Sequence, residues 1–421
     1  MRDKGAVIIG ALLLAALPAG GAGEPELKYV VIVSRHGVRS PTWDKARLDA
    51  SSPEPWPAWE VPPGNLTPHG RQLIELMGAY YRQWLAGERL LRVGGCADAG
   101  RIYIHSDKDQ RTMETGRAFA ESLLPGCGIA VHSQTDSAPD PLFAGAGKPD
   151  PEKMRSAVGE RLGPDPRKLV ADHRSELDEL QSILGENTAQ DSSVGVALKG
   201  NAVDLTGPFA TGSTFSENLL LEYADGMKGA ALGWGRLTRE NLEHVLAIHT
   251  VYADLMRRTP YLARARGSNL LAHILRSIEQ AVSGKATPGA IGQAGDAVLL
   301  LSCHDTNLSN LSGMLGLSWK LAGYQPDDTP PGGALIFSLW HEAGTNRYSV
   351  RLRYVAQSPD QMRYAEPLSL AAPPESQDVA LPGCAASGCP WETARRVIEQ
   401  AIDPQFTFLT PESSRTGLSG R

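Results

Sequence analysis

The sequence predicts an α/β protein in which a central, mostly parallel sheet is flanked by helices and carries a smaller inserted α-rich domain. Three observations lead there. Two runs, LKYVVIVS at 27–34 and AVLLLS at 297–302, are apolar without alternation, as strands covered on both faces are. Helix-period and strand-like patterns alternate around them. Between about 144 and 206 the chain is instead rich in Gly, Pro, Asp and Ser with sparse apolar residues, which reads as short helices and loops rather than more sheet.

The first element is a targeting segment. Arg2 and Lys4 give a positive start, 7–17 is an apolar core too short for a comfortable membrane span, and the small residues at 19–23 offer a cleavage site before Glu24. A signal peptide at 1–23 implies a periplasmic or secreted protein with no stable membrane association after its removal. The strand at 27–34 runs directly into Arg35-His36-Gly37, and ligands of open α/β sheets bind at such carboxyl ends. A helix follows over 65–84, with Thr67 as cap, Pro68 in the first position, and Leu73, Leu76, Met77, Tyr80 and Trp84 at helical spacing. A short strand at 101–105 and a helix at 110–124 come next, then helices at 219–226 and 241–259. The strand at 297–302 ends in His304-Asp305 and precedes a helix at 306–315, and further strands are expected at 335–340 and 348–355. The resulting division is a discontinuous α/β domain of 24–145 and 259–411, an α-rich cap of 146–258, and a loose tail at 412–421.

Composition bounds the function. The 421 residues are 42% hydrophobic and 21% charged, a globular balance. The net charge of -6 excludes a surface built for nucleic acid, so any anion site must be a local arginine cluster. Five cysteines fit export. Cys384 and Cys389 suit a small disulfide loop, Cys96 and Cys127 could form a second, and Cys303 is left as a buried thiol rather than a nucleophile. A monomer is expected.

The chemistry concentrates in RHGVRSP, 35–41. Two arginines and a histidine on one loop can surround a tetrahedral oxyanion, because guanidinium donates paired hydrogen bonds and stays charged. Gly37 permits a close backbone approach. Histidine can attack phosphorus only when neutral, and neighbouring arginines lower its pKa and keep a lone pair available in acid. The five fixed positions of this pattern recur by chance on the order of once in ten thousand such chains. His304-Asp305 stands at a helix N-terminus, which favours a nearby anion. An acid beside phosphate feels like-charge repulsion that raises its pKa towards a proton donor's, although Asp305 could also simply cap the helix. His69, His105 and His132 lack such a constellation and read as structural or exposed.

Beyond RHGVRSP, the chain carries HDTN at 304–307, Arg111 within SDKDQRTMETG, DPLF at 140–143, TPPGG at 329–333 and QMR at 361–363. With these it resembles the histidine acid phosphatases, branch 2 of the histidine phosphatase superfamily, over nearly the whole mature length, and most of all the bacterial 4-phytase and glucose-1-phosphatase type. The resemblance implies the histidine phosphatase fold and an acid phosphomonoester hydrolase. His36 would be phosphorylated, with Arg35, Arg39, Arg111 and His304 holding the phosphoryl oxygens. Asp305 would protonate the leaving oxygen and then activate water. Thr42 would add a hydroxyl near the phosphate, and Glu217, in SENLLLEYADG, would lie at the pocket rim with Trp43.

Trp43 departs from members that carry a basic residue there. The departure implies a missing contact to phytate, for which Lys45 is the available substitute, so aryl or sugar monophosphates should do at least as well. No cofactor and no metal are expected, since three arginines supply the charge a metal would. Two rival readings are a phosphoglycerate-mutase-like phosphotransferase, opposed by the leader and HDTN, and a non-catalytic phosphate-ester binder, opposed by the complete polar set.

Overall fold

The structure, a computed structural model, describes residues 24–185 and 193–409; the expected signal peptide at 1–23 and tail at 412–421 lie outside them. β1 (Glu26–Arg35) is followed by a short helix α1 (Lys45–Asp49), the long α2 (Pro68–Gly87), β2 (Ile102–Ser106), α3 (Gln110–Leu123) and β3 (Val131–His132). A helical region then holds α4 (Pro141–Ala144), α5 (Pro151–Leu162), α6 (Arg167–Asp172), α7 (Arg174–Leu184), a hairpin of β4 (Gly195–Lys199) and β5 (Ala202–Thr206), α8 (Pro208–Ala224), α9 (Arg239–Arg257) and α10 (Pro260–Ser283). The chain returns to the sheet with β6 (Val298–Cys303), α11 (Asp305–Leu315), β7 (Ala334–Glu342) and β8 (Arg347–Ala356), and closes with α12 (Pro359–Arg363), β9 (Glu375–Val379), β10 (Cys389–Pro390) and α13 (Trp391–Ala401).

The main sheet runs β10-β8-β7-β1-β6-β2-β3, with β9 on β8. It is mixed. β1, β6, β2 and β3 are mutually parallel, joined through helices, whereas β7 to β10 form an antiparallel wing. A four-residue turn links β7 to β8, and only antiparallel strands can be joined so briefly. The unbroken apolar run in β1 follows from its place inside the sheet. Tyr29, Val31 and Val33 enter one hydrophobic cluster with Leu299 and Leu301. Val30 and Ile32 enter the other, with Leu300, Ile74, Met77 and Phe119. Each such fully buried side chain contributes about 1.5–3 kcal/mol.

Thr67 caps α2 by accepting from the Gly70 N–H, with Pro68 in the first turn, as the sequence predicts. Two predictions need correction. The span read as helices and loops contains the antiparallel β4–β5 hairpin, closed at Gly200-Asn201, whose strands are short and half-exposed and so carry no strong apolar pattern. α8 begins at Pro208 rather than 219: its Gly212 packs so closely on Ile248 that a Cβ would lie 3.0 Å from it, and tertiary packing overrides poor helix propensity. Within α8, Glu222 is buried. One carboxylate oxygen accepts from the Gly233 N–H at 2.8 Å, the other has no partner, and burial pushes the carboxyl up to about 8.

Cys96–Cys127 and Cys384–Cys389 are disulfides, each with Cα atoms 5.2 Å apart. Cys303 is a buried free thiol, pushed to higher pKa by burial first and by Asp107 second. Among the described residues no helix is long and apolar enough to cross a membrane.

Candidate active site

Because β1 and β6 are parallel neighbours with Arg35 opposite Cys303, the loops that leave their carboxyl ends run side by side. The His36 N–H donates to the Cys303 carbonyl, the Gly332 N–H donates to the His36 carbonyl, and the Arg35 N–H donates to the Gly333 carbonyl, each at 2.9 Å. The nucleophile candidate is thus tied down on both sides by backbone. A Cβ on Gly37 would come within 2.9 Å of the Gly70 carbonyl oxygen and of Ile74, so only glycine lets this loop lie on the start of α2.

His36 Nδ1 lies 2.8 Å from the Gly37 carbonyl oxygen. An N–H at Nδ1 donates there and leaves the Nε2 lone pair free. Burial, then Arg35, Arg111 and Arg39, hold the imidazole pKa well below its ordinary value, so the ring is neutral in acid.

The three predicted arginines converge on this ring. Arg35 donates from Nη1 to the Thr329 carbonyl at 2.6 Å and from Nη2 to Glu217, and Arg39 Nη2 lies 3.1 Å from the other Glu217 oxygen. Arg111, on the first turn of α3, pairs with Asp109 at 2.6 Å and approaches His304 Nδ1 at 3.4 Å. The Nε of each of Arg35, Arg39 and Arg111 is buried and without a partner. His304 stands edge-on to His36, ring centroids 5.6 Å apart, and its Nε2 lies 2.7 Å from the Asp107 carboxylate, which fixes its orientation.

Asp305 opens α11, but the cap position belongs to His304, whose N–H donates to Asn307 Oδ1 at 3.1 Å. Asp305 Oδ2 instead lies 2.6 Å from Arg257 Nη1 and 3.9 Å from both Arg35 Nη2 and His249 Nε2. Burial alone would raise its pKa; Arg257, then Arg35 and His249, outweigh burial and hold it well below the usual carboxylate value. These cations favour the ionised form of Asp305, and a proton-donor role requires substrate to change that balance.

Glu217 reaches deeper than a rim position. Its side chain is 12% exposed and bridges Arg35 and Arg39, which depress its pKa against the opposing effect of burial. Thr42 is exposed and flanks Gly64 together with Arg111. Trp43 is half-buried, edge-on to Phe215 at 5.9 Å, and the Arg47 guanidinium lies 3.5 Å from its ring centroid. Lys45 pairs with Asp49 at 2.7 Å, and the cation that lies against Trp43 is Arg47.

Sequence reasoning missed Asp107, His249, Arg257 and Arg47. Asp107 sits two residues before Asp109 in the segment that supplied Arg111. Arg257 belongs to the basic pair that ends α9, which reads from sequence as an ordinary complement to the helix dipole. Two groups, Asp107 with Asp109 and His304, and Glu217 with His249 and Asp305, bring metal-ligand atoms within 4.8 Å of one another. Each contains a carboxylate already paired with arginine.

Known proteins match this chain in sequence and in fold. The model of the histidine phosphatase superfamily (branch 2) covers residues 26–160 and 213–355. Phytase AppA of Escherichia coli is 38% identical over 86% of the chain and 88% of that protein. A glucose-1-phosphatase of Salmonella typhimurium is 28% identical over 94% and 97%. The phytase of Citrobacter braakii superposes with a TM-score of 0.84 at 33% identity, covering 91% of this chain and all of that one, and the Hafnia alvei phytase bound to tartrate superposes with 0.83 at 34%, covering 92% and 99%. The chain belongs to branch 2 of the histidine phosphatase superfamily and is a phosphate monoester hydrolase.

Proposed function

We propose that the protein is an exported acid phosphomonoesterase of the phytase and sugar-phosphatase type, working through a phosphohistidine on His36. One observation carries this reading: Arg35, Arg111 and Arg39 all act on His36 to keep it neutral, while its Nδ1 side is taken by the Gly37 carbonyl, and each arginine has a buried Nε lacking a partner. That is a cradle for an oxyanion that must be attacked. Nε2 of His36 attacks phosphorus, the phosphorus–oxygen ester bond breaks, and the Asp305 carboxylic acid gives its proton to the leaving oxygen. Water then attacks the phosphohistidine, the Asp305 carboxylate accepts its proton, and inorganic phosphate leaves. Arg35, Arg39, Arg111 and His304 hold the phosphoryl oxygens, and Thr42 adds a hydroxyl at the mouth.

Residues 24–145 and 259–411 are the α/β body and 146–258 the cap, which lends Glu217, His249 and Arg257 to the site. Two disulfides and the leader-like 1–23 support export. The monomeric enzyme takes small phosphate esters and has no nucleic-acid partner. The Trp43–Arg47 stack offers an aromatic face and a positive charge together, which suits a broad range: aryl and sugar monophosphates as well as inositol phosphates. The test is a panel of phytate, glucose 1-phosphate and an aryl phosphate, assayed for free phosphate at acidic pH. Release from none of them sinks the reading. A preference for phytate of about a hundredfold, or 2.7 kcal/mol, sinks the broad range.

A further inference from the structure

The Asp305 carboxylate is gripped at 2.6 Å by Arg257, whose side chain is only 15% exposed. The groups around this pair come from every wall of the pocket. β1 supplies Arg35 at 3.9 Å from Asp305, with His36 and Arg39 following it. α9 supplies His249 at 3.9 Å, and α8 supplies Glu217. Arg257 itself is also faced by Tyr252 and Arg266. In the resting site, then, two carboxylates occupy guanidinium groups: Glu217 those of Arg35 and Arg39, and Asp305 that of Arg257. An acid whose proton is needed by the leaving group cannot serve while it is held as an anion in this pair.

We propose that Arg257 is the positioning residue for the proton donor: it docks the Asp305 carboxylate in the empty site and releases it as the phosphoryl group enters, so that substrate itself switches on acid catalysis. This rests on Asp305 being the general acid. The entering phosphoryl oxygens are anionic. They draw on Arg35, which lies 3.9 Å from Asp305, leave Asp305 beside like charge in a buried site, and so favour its neutral form and its release from Arg257. The proton comes from solvent or arrives with the monoanionic ester.

The test is the pH dependence of kcat/KM on an alkyl phosphate, which reports the free enzyme. Arg257→Gln should move the alkaline limb up by about one to three units, the effect of removing one close opposite charge. Arg257→Lys should leave the limb near its original place. Equal loss at all pH values in both variants, with the limb unmoved, would mean a merely structural arginine and overturn the proposal. A second arm needs no change at Arg257. Inorganic sulfate, which carries no proton of its own at pH 5, should bind the unaltered protein with uptake of close to one proton, measured calorimetrically in buffers of different ionisation enthalpy. That uptake should vanish in Asp305→Asn and shrink in Arg257→Gln. No uptake, or uptake that survives Asp305→Asn, overturns the switch. Failure of the underlying reading looks different: Asp305→Asn would then slow alkyl and aryl esters equally.

Discussion

Replacing Glu222 by glutamine should make the protein more stable at pH 8 and leave it nearly unchanged at pH 4.5. Glu222 is buried in α8, with one oxygen on the Gly233 N–H and the other unpartnered, and burial raises its pKa from 4.5 to about 8. The fold therefore resists the charged form. Stability from the neutral carboxyl is fully present below the unfolded value and is lost as pH rises towards the folded one. With these two values the loss accumulated by pH 8 is about 4 kcal/mol, at roughly 1.4 kcal/mol per unit less the half-ionisation at the end point. A neutral amide keeps the acceptor for Gly233 and has no charge to bury. At about 2.1 cal/mol/K per residue, the difference in melting temperature at pH 8 should be about 5 °C. Thermal melts of both proteins at pH 4.5, 6 and 8, compared as a difference, isolate this group from others that titrate. A constant difference across pH would refute the reasoning, since it would show that Glu222 is already ionised, or solvated, in the native state.

Four further outcomes concern catalysis. His36→Ala should lose turnover by on the order of 10⁴-fold or more while melting normally, and acid-quenched native enzyme fed labelled phosphate ester should carry base-stable, acid-labile label that the variant lacks. Asp305→Asn should slow an alkyl phosphate by roughly 10²–10⁴-fold and an aryl phosphate far less, because a basic leaving oxygen depends most on the acid. Activity should peak below neutrality: the depressed pKa of His36 keeps it nucleophilic at acidic pH, while loss on the alkaline side follows ionisation of Asp305 in the complex, so a maximum above pH 7 would contradict both assignments. Prolonged treatment with a chelator should leave the rate unchanged, since arginines neutralise the phosphoryl group; inhibition restored by a divalent ion would contradict this.

What sequence could reveal follows from the range of the forces involved. The strands at 27–34 and 297–302 were legible because burial on both faces leaves an unbroken apolar run, and the polar residues that end them are the residues that matter. Thr67-Pro68 announced α2 because capping is local. The β4–β5 hairpin was hidden because a half-exposed strand needs few apolar residues. The start of α8 was hidden because small residues chosen for close packing are poor helix formers in isolation. Arg257 and His249 could not be assigned from their surroundings in the chain. Their meaning comes from α9 packing against α11, whose first residue is Asp305, and nothing in RRTP or AIHT signals it. Arg47 differs: it lies four residues from Trp43, a local pairing made by the turn into α1 at Asp44.

The placement of β1 has a consequence for how the molecule comes into being. Among the described residues it is the first strand, and it lies between β6 and β7, strands made in the last third of the chain. Arg35 takes one partner 182 residues onward, in Glu217, and another 294 residues onward, in Thr329. A growing polypeptide that already contains the whole RHG loop consequently lacks both sheet neighbours of β1, and closing such long loops is slow. Until the last third of the chain is available to pair, β1 has no neighbour in the sheet and Arg35 lacks the Thr329 carbonyl. The order of the strands thus makes completion of the sheet around the RHG loop a late event of synthesis.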